Sequence, residues 1–67
     1  MISNLKDARL KAKLTQEQLA DKVMVARQTI LFLEKGEYNP SLKLAYKLSK
    51  LLGVKIENLF SFDDEKE

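Results

Sequence analysis

The chain contains neither cysteine nor histidine, and for a domain of 67 residues that absence narrows how it can hold together. A chain of this size buries only about 60% of the surface its unfolded form exposes. It has no disulfide to staple it and lacks the usual zinc ligands, so close helix packing or self-association must supply the remaining stability. A homodimer is therefore expected. The same absence removes the commonest general base and the best thiol nucleophile. The carboxylates that remain are scattered along polar helix faces with no confining glycine loop between them, which reads as surface charge. No enzyme activity, metal, cofactor or small-molecule ligand is expected.

Twelve basic residues face ten acidic ones, but four of the acids lie in the stretch Ser61 to Glu67. Positions 1–60 hold eleven basic and six acidic residues, a net charge of +5, which suits a polyanionic partner. The apolar runs span only a few residues, far short of the ~20 that a membrane helix needs, and the N-terminus shows no signal-peptide pattern. A cytoplasmic protein is expected.

Hydrophobic spacing reads as helices throughout. Asn4, with Asp7 three residues on, is the expected cap of a first helix over 5–13 carrying Leu5, Ala8 and Ala12. Thr15 and Gln18 form a capping-box pattern, so a second helix starts at Gln16 and ends near Val23 with Leu19, Ala20 and Val23 on one face. After a break at Met24 and Val25, a third helix over 27–34 turns Ile30 and Leu33 inward, and Gly36 stands where a left-handed cap is needed. Pro40 disfavours helix at Asn39, and Ser41 caps a fourth helix bearing Leu44, Ala45, Leu48, Leu51 and Leu52 that Gly53 closes. Ile56 to Phe60 allows a short fifth helix. Met1-Ile2-Ser3 and Phe60-Ser61-Phe62 both alternate apolar with polar residues, as two strands of a minimal antiparallel ribbon would. One domain over 1–62 and a mobile acidic tail over 63–67 are expected.

The second and third helices carry the functional signal. Leu19, Ala20 and Val23 can pack against Val25, Ile30 and Leu33 only if the two helices cross steeply, and the small Ala20 permits close approach. That crossing leaves the start of the third helix prominent. Arg27, Gln28, Leu31 and Phe32 lie on its outer face with Lys35 a turn further on, shaped for a major groove. Arg27 can bond in bidentate fashion to guanine and Gln28 to adenine, or both could hold phosphates. Leu31 and Phe32 would meet a thymine methyl, or Phe32 could fold back over the loop at Tyr38. Gln16 and the free N–H groups at the start of the second helix are placed to grip a phosphate. Thr29, Lys35, Tyr38 and Asn39 could hold the strand further along, whereas Lys43, Lys47, Lys50 and Lys55 are expected to point away.

Thr15-Gln16-x-x-Leu19-Ala20, Val25-x-Arg27-Gln28-Thr29-Ile30, Glu34-Lys35-Gly36-x-Tyr38-Asn39-Pro40-Ser41-Leu42 and Leu52-Gly53-Val54 with Leu59-Phe60 occur in that order. In these motifs the chain resembles the Cro/CI-type (Xre) helix-turn-helix regulators over about residues 4–60, and most of all the small dimeric cytolysin-repressor subgroup. The resemblance implies an all-α, five-helix lambda-repressor-like bundle with a two-stranded ribbon joining the termini. It also implies dimerisation through the last helix and the segment before it, repression of a nearby promoter through double-stranded DNA, and a structural ion pair between Arg9 and Glu34. The chain departs from the pattern at Met24, where glycine is common, at Ala26, where Ser or Thr usually caps and Ala would forfeit about 1 kcal/mol, at Glu37 and at Leu31-Phe32.

The dimer seam is expected at Ile56, Leu59 and Phe60, since the apolar residues outnumber what one small bundle can hide. A different reading makes the chain a protein-interaction module that buries Leu31 and Phe32 against another protein.

Overall fold

The computed structural model describes residues 1–61; Phe62 of the expected ribbon and the acidic tail 63–67 lie outside the described residues. Its elements run β1 (Ile2–Ser3), α1 (Leu5–Lys11), α2 (Gln16–Val23), α3 (Arg27–Lys35), α4 (Leu42–Leu52), α5 (Ile56–Leu59) and β2 (Phe60–Ser61). This is the five-helix bundle with a terminal ribbon. β1 and β2 pair antiparallel, Ile2 opposite Ser61 and Ser3 opposite Phe60. The tie continues as Asn4 N donates to the Leu59 carbonyl at 2.8 Å.

Helix starts follow local chemistry. Thr15 and Gln18 form the full capping box, with Gln18 N donating to Thr15 Oγ1 at 3.0 Å and Thr15 N to Gln18 Oε1 at 2.9 Å. Ser41 Oγ accepts from Leu44 N at 3.1 Å. Asn4 does not behave as expected. It occupies the cap position of α1 without a side-chain cap bond, and its amide instead donates to the Asn58 carbonyl at 3.3 Å. Leu5 N finds Ser3 Oγ at 3.3 Å. The pairing of the chain ends has drawn Asn4 toward α5, so its side chain serves the tertiary contact.

Four helix ends share one device. At Lys13, Met24, Gly36 and Gly53 the backbone turns left-handed, with φ of 61°, 64°, 75° and 69°. The next residue's N–H then reaches back five positions, Leu14 N to Arg9 O, Val25 N to Ala20 O, Glu37 N to Phe32 O and Val54 N to Ser49 O. This satisfies a carbonyl that the helix leaves free. Lys13 carries no glycine signal, and α1 accordingly stops at Lys11 rather than running on to 13.

The core gathers one stripe from each helix: Leu5 from α1, Leu19, Ala20 and Val23 from α2, Ile30 and Leu33 from α3, and Leu44, Ala45 and Leu48 from α4. Leu59 and Phe60 complete it, 0% and 6% exposed, and half-buried Ile56 packs against it. Two residues of the expected dimer seam, Leu59 and Phe60, are thus buried within the monomer. The apolar ends fold inward because the ribbon carries Phe60 over the bundle, so the monomer itself consumes Leu59 and Phe60. Leu51 is the reverse case, expected with the packed stripe of α4 and found 41% exposed.

Candidate nucleic-acid interface

The α2 to α3 turn is built from residues that cannot relax it. Met24 adopts φ 64° and ψ 46° with its side chain 81% exposed, and Val25, half-buried, packs on the core. Ala26 then enters α3 in an extended conformation with no side-chain cap bond. Its carbonyl accepts Thr29 N at 3.0 Å. Since Ile30 and Leu33 are sealed inside, the helical period turns Gln28, Leu31, Phe32 and Lys35 away from the core and leaves Arg27 at the flank of that face.

Arg27 and Gln28 are exposed at the first turn of α3, and Lys35 is exposed at its end. Leu31 is half-buried, and Phe32 remains 38% exposed, so neither is a closed part of the core. Ala26 and Asn39 are exposed, Thr29 is half-buried and Tyr38 is 48% exposed. Two concavities flank this helix. One is lined by Lys13, Thr15, Gln16, Glu17 and Arg27, together with Arg9, Leu10 and Leu14. It joins the start of α2 to the start of α3. The other is lined by Met24, Val25, Thr29, Tyr38, Lys43 and Lys47.

That second hollow brings Lys43 and Lys47 beside Thr29, against the expectation that both point away. The distance of these lysines from the motif in sequence hid them, and the turn of the chain at Pro40 brings α4 back against α2, so that Lys43 and Lys47 lie beside the α2 to α3 turn. Lys13 was missed as well. Its left-handed backbone places it at the mouth of the first hollow, and no local residue type announces that conformation.

Gln16 is half-buried, and its amide Nε2 donates to Glu34 Oε1 at 3.0 Å. The Glu34 carboxylate also takes Arg9 Nε at 2.6 Å on Oε2 and Arg9 Nη2 at 3.4 Å on Oε1. Arg9 Nη1 donates to the Leu14 carbonyl at 2.9 Å. The paired side chains are only 8% and 6% exposed. Arg9 is thus spent inside the fold, which leaves Arg27 as the arginine on the surface. Among the described residues no group of metal-ligating side chains forms, and no helix is long and apolar enough to cross a membrane.

A helix-turn-helix family model matches residues 5–59. A transcriptional regulator of the helix-turn-helix type from Archaeoglobus fulgidus is 54% identical over 98% of this chain and 93% of its own length. One from Methanocaldococcus jannaschii is 53% identical over 98% of this chain and its whole length. The cryptic phage CTXphi transcriptional repressor RstR of Vibrio cholerae is 39% identical over 88% of this chain, which spans 53% of that longer protein. Among solved structures, the restriction-modification controller protein C.AhdI from Aeromonas hydrophila superposes with a TM-score of 0.73 at 32% identity, over 84% of this chain and 85% of its own. The packed α2 and α3 pair with its tight turn, the family model along most of the chain and relatives more than half identical agree: this protein belongs to the Cro/CI-type (Xre) helix-turn-helix family of DNA-binding transcriptional regulators, not to a family of enzymes.

Proposed function

We propose that the protein is a sequence-specific repressor that binds a palindromic operator as a homodimer, with α3 in the major groove. One observation carries this reading: Arg27 and Gln28 stand exposed at the first turn of α3, and neither side chain makes a hydrogen bond among the described residues. Both side chains have the fork geometry that reads a purine edge. Leu31 and Phe32 follow on the same face, where a thymine methyl is the matching partner. Gln16 at the start of α2 grips one phosphate strand, while Ala26, Thr29, Lys35, Tyr38 and Asn39 border the other. Similarity to a phage repressor supports repression as the outcome.

Self-association rests on the apolar side chains that the monomer leaves outside. With Leu59 and Phe60 spent in the core, Leu51 and the half-buried Ile56 remain on either side of the Gly53 turn as the seam. A two-fold dimer would then meet two half-sites about 34 Å apart on one face of the duplex.

Selection of bound sequences from random DNA supplies an operator on which to test the reading face. Arg27→Ala and Gln28→Ala are each expected to weaken binding by about 1 to 3 kcal/mol and to relax base preference at one position. Unchanged affinity for both would remove α3 as the reader. Operator binding should also weaken steeply with salt. An association that hardly responds to salt would point instead to an apolar protein partner on Leu31 and Phe32.

A further inference from the structure

A buried ion pair is a poor source of stability, because its desolvation roughly offsets its attraction and apolar replacements of the same volume are often neutral or better. The Arg9 and Glu34 pair therefore invites the question of what else it holds. Its carboxylate reaches one more group, the amide of Gln16. A carboxylate only accepts hydrogen bonds, so the amide nitrogen and not its oxygen must face Glu34. One amide N–H is thereby committed, and the second makes no bond among the described residues. Gln16 lines the hollow between α2 and α3 together with Thr15, Lys13, Arg27 and one carboxylate, Glu17, so the free N–H belongs to the amide that borders a concavity where the cations Lys13 and Arg27 outnumber that acid.

We propose that Glu34 is a positioning residue for DNA binding: its carboxylate, neutralised by Arg9, fixes the Gln16 amide so that the remaining N–H meets a phosphate oxygen. This rests on the reading that Gln16 contacts the DNA backbone. Arg9 makes the arrangement compatible with a polyanion. An unpaired carboxylate at that depth would repel the phosphate, whereas one held at 2.6 Å by a guanidinium carries little net field. Pre-ordering also spares the glutamine the loss of rotamer freedom that it would otherwise suffer on binding. The three side chains come from α1, α2 and the last turn of α3, so the same bonds that brace the reading helix set the phosphate contact.

A double-mutant cycle on the full chain tests this, with binding to the selected operator as readout and thermal melting as the check on folding. The variants are Gln16→Ala, the paired replacement Arg9→Met with Glu34→Met, and all three together. Gln16→Ala is expected to weaken binding about tenfold without altering the salt slope, because a neutral amide releases no counterion. The Met pair removes the acceptor without stranding a charge and is expected to weaken binding by about two- to tenfold. In that background Gln16→Ala should cost clearly less than it does in the wild type. An equal loss in both backgrounds overturns the proposal. If Gln16→Ala leaves the wild-type affinity untouched, its phosphate contact falls and the proposal with it, while the reading face at Arg27 and Gln28 stands on its own substitutions. Glu34→Asp covers the case in which the Met pair fails to fold. It keeps a charge for Arg9 but withdraws the carboxylate from Gln16 by one methylene, and the same cycle applies.

Discussion

Met24 and Gly36 stand in the same backbone conformation with opposite consequences. An L-residue in the left-handed region pays roughly 1 to 2 kcal/mol, and Met24 does so in the turn that aims α3. Met24→Gly removes that strain and gives back about 0.5 to 1 kcal/mol through the greater freedom of unfolded glycine. A net gain of about 0 to 1.5 kcal/mol is expected, seen as a melting midpoint up to several degrees higher. Gly36→Ala runs the other way. Its φ of 75° strains any side chain, and the added Cβ would collide with the carbonyl of Met1, the residue that leads into β1. A loss above about 2 kcal/mol is expected. A melt in which Gly36→Ala equals the wild type would show that the N-terminal segment does not rest on this turn. Glycine at 36 was legible because local chemistry demands it, and the crowding that makes it irreplaceable was not, since Met1 lies far away in sequence.

The helix proposed to read DNA, α3, is one of those begun without a side-chain cap. α2 and α4 start on Thr15 and Ser41, whose hydroxyls accept backbone N–H groups, while α3 starts on Ala26 with nothing to offer. Ala26→Ser supplies the missing acceptor to the amide of Gln28 or Thr29. It is expected to stabilise the protein by about 1 kcal/mol. Hydrogen exchange should slow at one of those two amides before it changes elsewhere, and unaltered exchange at both would show that the first turn is held by other means. Helix starts were readable because a cap and its target lie within three residues. Helix ends were readable where glycine marked them, at Gly36 and Gly53, and at the break after Val23, while Lys13 ended α1 unannounced.

For the molecule as a whole, the decisive allocation is that of Leu59 and Phe60. Both are apolar and close to the end of the described chain, and periodicity cannot say whether such residues face their own bundle or a second copy. The ribbon decides it. By pairing Ser3 with Phe60 it swings the last turn over the core, and Leu59 becomes fully buried. Leu59→Ala is expected to cost about 2 to 5 kcal/mol, a large part of what a domain of this size possesses. Because the lost contacts lie within one chain, the drop in melting midpoint should be the same at every protein concentration. A drop that deepens on dilution would return Leu59 to the interface between copies.

The sequence alone determined the helices, their order, three of their stops and the pair of residues displayed at the start of α3. Each of these follows from interactions among neighbours in the chain, through caps, left-handed turns and a 3.6-residue period. Tertiary structure alone decided which apolar ends were buried, that Asn4 would reach α5 rather than cap α1, that Lys43 and Lys47 would border the hollow beside Thr29, and that Gln16 would be tied to Glu34. Those outcomes depend on groups 14 to 59 residues apart meeting, and no local preference encodes such a meeting until the helices have packed.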